Sequence, residues 1–302
     1  MNTEDIVYLC LLFFSMGFGI HYRTIQNPDI KRKVGALVGL VIVFVVSGLH
    51  AIHPVISTLI NACIILYTDK RKCHIYSFAF SFLYLFFFRT TIYFGIPYPP
   101  SHTNLVQMML TLKLIVLILP KKKRDLSEKT EEEKYEDKTC DINLEFLDVF
   151  YYAFNYCGVL TGPYFRYRTF VDHLYKPYYK YDNYKEPVLK RLRYIPILGA
   201  IYIATNYCWP LSYLSTDEFH HRSFLYRYWY IWPSFLIFRT RIYLGLTLTE
   251  IVCIFGGLGV YPKFSNPKSG QGPTENLKKL SELTDSVELK KLEYDYENDP
   301  LH

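Results

Sequence analysis

The sequence predicts an all-α protein: a polytopic transmembrane helix bundle with one re-entrant segment. Three observations carry this. Apolar runs recur at 6–20, 34–49, 52–67, 75–95 and 103–119, each near the roughly 17–25 residues that a spanning helix needs. Lys and Arg fall only in alternate links between those runs. One further apolar stretch, 147–165, is followed by a basic loop that an ordinary crossing would put on the wrong side.

The first run follows Asn2-Thr3-Glu4-Asp5, an acidic flank with no small-residue cleavage pattern after it. It therefore reads as a first span and not as a signal peptide. The link 21–33 carries Arg23, Lys31, Arg32 and Lys33. The link 68–74 carries Lys70, Arg71 and Lys72, and the link 120–146 opens on Lys121-Lys122-Lys123-Arg124 and holds seven basic residues. The alternate links 50–51 and 96–102 hold none. Short basic loops stay cytoplasmic, which puts the N-terminus on the lumenal side.

The stretch 147–165 is long enough to span. The loop after it, 166–193, carries Arg166, Arg168, Lys176, Lys180, Lys185, Lys190, Arg191 and Arg193. If that loop is cytoplasmic, 147–165 enters the membrane and returns, with the Thr161-Gly162-Pro163 break supplying irregular backbone. The alternative is an ordinary span with a mis-sided loop. Apolar runs follow at 194–214 and 223–260, joined by 215–221, which has no Lys or Arg. The run 223–260 is too long for one span and is interrupted by Arg239 and Arg241, so two helices are expected to meet there. Gly35-x-x-x-Gly39 is a small-residue packing motif. The organisation is one membrane domain, 1–260, and a polar linker, 261–302, rich in Lys and Glu with Pro262, Pro267 and Pro273.

Composition agrees. The 302 residues are 50% hydrophobic and 18% aromatic, with 29 Tyr; mean hydropathy is only +0.05 because 120–146 and 261–302 dilute the apolar runs. The net charge of +6 is loop Lys and Arg, suited to an anionic leaflet and not to nucleic acid. Seven cysteines lie mostly inside apolar runs without metal-ligand spacing, so they read as small buried hydrophobes, and no metal site is expected. There is no N-x-[ST] sequon, lipidation box or retrieval signal.

Ionisable side chains in apolar runs are costly unless paired or snorkelled. Arg89, Lys113, Arg227, Arg239 and Arg241 are of this kind. They either reach the headgroups or line an interior suited to an anionic group. The densest constellation is Thr161 to Thr169, with Tyr164, Arg166, Tyr167 and Arg168. Arginine forks bind phosphate by paired hydrogen bonds. Arg166 and Arg168 share a face if the chain is extended and diverge if it is helical. The site reads as a phosphate or headgroup contact, or as a membrane-edge anchor.

Phe87-Phe88-Arg89, the stretches Thr103 to Gln107 and Leu110 to Lys113, Gly158 to Thr169, Phe238-Arg239 with Arg241, and Leu292 to Glu297 together resemble the membrane-bound O-acyltransferases, in the branch that acylates lysophosphatidylinositol. The resemblance covers nearly the whole chain. It implies a multi-pass enzyme of the endoplasmic reticulum that moves a fatty acyl group from acyl-CoA to a lysophospholipid, with no bound cofactor. Arg166, Arg168, Tyr164, Tyr167, Arg239 and Lys113 are then candidate substrate contacts. It also implies that this chain matches the N-terminal part of such an enzyme. The family's catalytic Asn and Trp-His-Gly histidine would lie beyond His302. The nine histidines here fall in links, at segment ends or at the terminus, and none follows a Trp, so no catalytic residue is assigned. Two other classes remain: a non-catalytic membrane scaffold or lipid-binding competitor, and a solute transporter, against which the absence of two similar halves counts.

Overall fold

The computed structural model describes residues 3–68, 72–95, 99–123, 145–283 and 286–296. Most of the link 120–146, and Lys70 and Arg71 of the link 68–74, lie outside the described residues. Among the described residues the fold is all-α apart from four short strands. Helix α1 spans Thr3–Thr24. Asn27 then caps α2, Pro28–Ser47, its side-chain oxygen accepting from the Asp29 amide at 2.9 Å, with Pro28 in the first turn. The chain breaks at Gly48, whose φ of 54° favours glycine, and continues as α3, Ile52–Tyr67. Helices α4, Cys73–Arg89, and α5, Ser101–Lys123, complete the first half.

Buried polar side chains join α3, α4 and α5. Asn61 accepts from Ser77 at 2.6 Å and from Ser81 at 3.2 Å, and Gln107 donates to Ser57 at 3.0 Å. Such bonds between helices are a means of association where apolar burial gives little drive. Two helical stretches among the described residues, Asp5–Thr24 and Pro28–Tyr67, are long and apolar enough to cross a membrane by length and composition, the second counted across the break at Gly48.

The stretch 147–165 is not one helix. Helix α6, Phe146–Ala153, has eight residues, about 12 Å at the helical rise, short of a roughly 30 Å hydrocarbon core. Irregular backbone follows as far as Arg166. Asn155 accepts from the Cys157 amide at 2.9 Å, Gly158 and Gly162 have positive φ, and the Gly162–Pro163 bond is cis. This turn is seated on α2. The Tyr156 amide donates to the Gly35 carbonyl at 3.1 Å, and a Cβ at Gly39 would lie 1.9 Å from the Phe154 oxygen. The Gly35-x-x-x-Gly39 motif thus admits a turn, not a neighbouring helix.

Helix α7 spans Tyr167–Tyr175, α8 Lys185–Leu192, α9 Tyr194–Cys208 and α10 Asp217–His221. The run 223–260, expected as two helices, is instead dominated by a single 33-residue helix, α11, Phe224–Gly256, about 50 Å long. The two arginines do not break it. Arg239 donates to Tyr243 at 3.1 Å one turn on, and Arg241 pairs with Asp5 of α1. Helices α9 and α11 form an antiparallel hairpin: Arg191 pairs with Glu250 at one end, and Trp209 meets Trp229 at the other. The second half of α11 runs parallel to α1, since Asp5 meets Arg241 and Gly19 lies against Phe255.

The expectation of a polar linker at 261–302 fails for the described part. After Gly257 and Gly259, both at positive φ, strand β1, Val260–Pro262, pairs antiparallel with β4, Tyr294–Tyr296, while β2, Pro267–Lys268, pairs with β3, Gly272–Pro273. With α12, Leu277–Glu282, and α13, Ser286–Leu289, these form a cap. The cap has its own core, in which Tyr261, Leu277, Leu280, Leu289 and Tyr296 pack with Tyr178, Tyr179 and Ile254. High Lys and Glu content hid a sparse apolar set that is sufficient because helix α11 and the 177–184 segment supply the rest.

Candidate functional site

The site is built around the turn that joins α6 to α7. Tyr152 at the end of α6 donates to the Phe165 carbonyl at 2.6 Å, tying the two ends of the turn together. Its ring is met edge-on by Phe165 at 5.7 Å and by Tyr167 at 5.5 Å. Lys113 of α5 projects into this aromatic group. Its ammonium lies 4.7 Å from the Phe165 ring centroid and 5.7 Å from that of Tyr152. Lys113 is fully buried, and its Nζ has no hydrogen-bond partner among the described residues. Ring faces offset part of the cost of burying an ammonium, on the order of 2 kcal/mol when desolvated, but leave its three donors unused.

The candidate arginines separate. Arg166 has extended backbone (φ −73°, ψ 157°) and precedes the first turn of α7, whereas Arg168 lies within that turn. Arg166 is half-buried. Arg168 is buried and is committed to the cap: Nη2 donates to the Pro273 carbonyl at 3.0 Å, and Nε lies 3.9 Å from Asp172. Asp172 also takes Lys176 at 3.1 Å and accepts from the Tyr261 hydroxyl at 3.0 Å. Tyr164 is half-exposed with its ring against Gly270 of the cap, and Tyr167 is buried. Arg239 is not part of this group; it is exposed on α11 and stacks on Tyr243 of its own helix, 5.1 Å from the centroid. Lys113, Tyr164, Arg166 and Tyr167 are therefore brought to one turn, Arg168 to the cap behind it, and Arg239 to neither.

A second buried group was missed by sequence reasoning. His173, counted in a link, is only 5% exposed. Its Nδ1 lies 2.9 Å from the Gly257 carbonyl. A carbonyl only accepts, so that nitrogen carries the proton and Nε2 is left as an acceptor. Nε2 is buried with no partner among the described residues. Burial holds the imidazole well below its usual 6.5, and nearby Lys31 adds to this. With Thr169, Asp172, Lys176 and Tyr261, His173 lines a small recess beneath the cap. Lys31 is itself buried, with Nζ 3.7 Å from the Tyr179 centroid and 3.5 Å from the His173 carbonyl oxygen. The available signal was the apolar spacing Tyr167, Phe170, Val171 and Leu174, which marks α7 as a helix with a buried face.

Further ion pairs fasten the segment 147–193 to the link 21–33 on either side of the 154–166 turn. Arg32 meets Asp148 at 2.8 Å, and Arg23 meets Asp182 at 3.1 Å. Burial raises the Asp182 carboxyl above 3.8 against the opposing effects of the Tyr296 hydroxyl and Arg23. Among the described residues, no three side chains of His, Cys, Asp or Glu come together as a metal-binding group.

No family model matches the sequence. Individual proteins do. The chain is 39% identical over 303 residues to a membrane-bound acylglycerophosphatidylinositol O-acyltransferase of Drosophila melanogaster, covering 94% of this chain and 61% of that protein. It is 33% identical to the enzyme of that name from Xenopus laevis and 31% identical to that from Homo sapiens, in each case over 98% of this chain and 63% of the relative. The chain thus spans about three fifths of the length of these relatives. The similarity to each of these membrane-bound acylglycerophosphatidylinositol O-acyltransferases runs through nearly all of this chain's residues.

Proposed function

We propose that this protein takes part in acyl transfer from acyl-CoA to lysophosphatidylinositol in phospholipid remodelling, as a multi-pass protein of the endoplasmic reticulum membrane. The names of its relatives support the reaction class. The observation on this chain that carries the reading is the buried, unpartnered ammonium of Lys113 beside the 154–166 turn. An uncompensated charge at such depth is expensive and marks a site that meets an anionic group. A phosphate or carboxylate supplied by a lipid or by coenzyme A would accept the three donors that the rings leave unused. Arg166, Tyr164 and Tyr167 flank the same turn and complete the proposed contact. No described side chain is assigned the role of the base that deprotonates the acceptor hydroxyl.

The topology is part of the same proposal. Arg32–Asp148 and Arg23–Asp182 hold the chain before and after the 154–166 turn to one basic link. This supports a segment that enters the membrane and returns, with 21–33 and 166–193 both cytoplasmic. The test is an assay of membranes carrying the protein fused to the portion of the Drosophila relative that it does not match. Radiolabelled acyl-CoA and a panel of lysophospholipids are supplied. Label entering phosphatidylinositol above an empty-membrane control is expected. Label entering only other lipids, or none, overturns the reading.

A further inference from the structure

Helix α8 has two faces of different character. One is fastened to the bundle: Tyr184, just before it, packs on Phe255 and under Arg23, Val188 joins the core, and buried Arg191 meets Glu250 of α11 at 3.0 Å. The opposite face carries Lys185, Leu189, Leu192 and Arg193. These stand at i, i+4, i+7 and i+8, one side of a helix. Leu189 is 51% and Leu192 49% exposed, and Lys185 and Arg193 are exposed at the two ends of the leucine pair. Neither basic residue has an ion-pair partner among the described residues. Arg193 keeps helical dihedrals (φ −63°, ψ −27°), and α9 begins at the next residue. The exposed apolar surface then continues along α9 through Tyr194, Ile197 and Ile201.

Two half-exposed leucines between two unpaired cations do not suit water, and they do not suit a hydrocarbon interior either. They suit the boundary, where leucine reaches the acyl region while Lys and Arg remain at the headgroups. The continuity with α9 places this boundary where the chain enters the apolar phase. The net charge of this exposed side sets the sign of the headgroup: Lys185, Lys190 and Arg193 stand against the one carboxylate of Glu186. Glu186, the acidic residue of α8, is offset by its pair with Lys190 at 3.6 Å.

We propose that α8 is an interfacial helix whose Lys185–Leu189–Leu192–Arg193 face docks on anionic phospholipid, gathering acidic lipid at the side of the bundle that holds the Lys113 turn and the cap. The proposal rests on the membrane reading above. It commits to a leaflet surface, not to a protein partner, because the face is continuous with the apolar surface of α9 and carries charge complementary to acidic headgroups.

The test reconstitutes the protein in vesicles containing a trace of photoactivatable phosphatidylserine or phosphatidylcholine, with the reactive group near the headgroup end of the acyl chain. After illumination, adducts are mapped by peptide mass spectrometry. Adducts at Leu189 and Leu192 are expected with both lipids, in several-fold excess for phosphatidylserine. A near-surface basic residue contributes roughly five-fold to anionic lipid preference, so K185Q/R193Q should bring the two yields close together. Both residues are exposed, so the variant should fold. Adducts on Ile197 and Ile201 of α9 serve as the control for membrane embedding. If α9 is labelled and α8 is not, or if both lipids label α8 equally in the unaltered protein, the proposal is overturned while the membrane reading stands. If α9 is also unlabelled, both fail.

Discussion

The carbonyl oxygen of Phe154 occupies the space where a side chain at Gly39 would begin, 1.9 Å from the position of a Cβ. Helix α2 and the turn after α6 are fitted to each other through this contact and through the Tyr156–Gly35 hydrogen bond beside it. Gly39→Ala must therefore displace backbone, not the end of a flexible side chain. Overpacking of a tight core costs about 1–3 kcal/mol, and a backbone obstruction belongs at the upper end. Thermal unfolding in detergent should show a clear loss for Gly39→Ala. Gly17→Ala, where nothing lies within 4 Å of the new atom, should be neutral or slightly stabilising. Equal behaviour of the two would refute the fit.

Lys113 gives a prediction in which stability and activity move in opposite directions. Replacing a buried, unpaired ammonium by Met removes a desolvation cost while keeping length and packing. Lys113→Met should raise the unfolding midpoint, by the equivalent of about 1 kcal/mol or more. If the ammonium receives an anionic substrate group, the same change should lower acyl transfer in the fused enzyme about ten-fold or more, the loss of one charged hydrogen bond or two. A stabilised variant with unchanged kinetics would leave Lys113 with no part in substrate contact.

Much of the helix pattern was legible because period and charge are local properties. The five early apolar runs and helix α9 coincide with helices, and Thr161-Gly162-Pro163 marks irregular backbone. What was not legible depends on distant partners. Arg168 looked like a free phosphate fork because its partner, the Pro273 carbonyl, is more than a hundred residues away. His173 looked exposed because its surroundings come from α1, α2 and the chain beyond α11. Arg239 and Arg241 interrupt the apolar pattern without ending the helix, because the Tyr243 hydroxyl accepts a hydrogen bond from one and Asp5 pairs with the other. The cap was invisible because its core residues are spread among lysines and glutamates, and half of that core belongs to other segments.

His173 makes stability depend on pH. Its folded-state pKa is depressed well below 6.5, so in acid the unfolded chain takes up a proton that the folded chain resists. Stability should be level above about 6.5 and fall as pH drops below it, since the unfolded state binds more protons there. Asp182, raised above 3.8, acts with the opposite sign: its contribution falls as pH rises through the interval above 3.8. His173→Gln should flatten the fall just below pH 6.5 when unfolding midpoints are compared from pH 5 to 8. An unaltered slope would show that His173 does not control it.

The two arginines of the turn should behave differently. Arg168→Ala removes the bond to Pro273 and leaves Asp172 short of a partner, at about 1.5–3 kcal/mol for a charged hydrogen bond. The cap should then loosen, with faster proteolysis within 263–283. Arg168→Lys should restore it only in part, because an ammonium lacks the planar fork. Arg166→Ala should leave proteolysis unchanged and weaken substrate use in the fused enzyme. If both alanine variants loosen the cap equally, Arg166 is structural as well, and the proposed substrate contact reduces to Lys113 and the tyrosines.

The ion pairs Arg32–Asp148 and Arg23–Asp182 turn the topology into a joint prediction. Because they bind the link 21–33 to the chain before and after the 154–166 turn, a probe that reaches one segment must reach the other. Lys33→Cys and Asn183→Cys place labels at exposed positions in the two segments, in a background where the exposed Cys10, Cys63 and Cys208 are replaced by serine. In sealed microsomes, a membrane-impermeant maleimide should label both without detergent. Protection of both until detergent is added would reverse the orientation inferred from basic residues and leave the re-entrant path intact. Labelling of one with protection of the other would mean that 147–165 crosses the membrane. The two ion pairs could not then coexist, and the buried turn beside Lys113 would lose its basis.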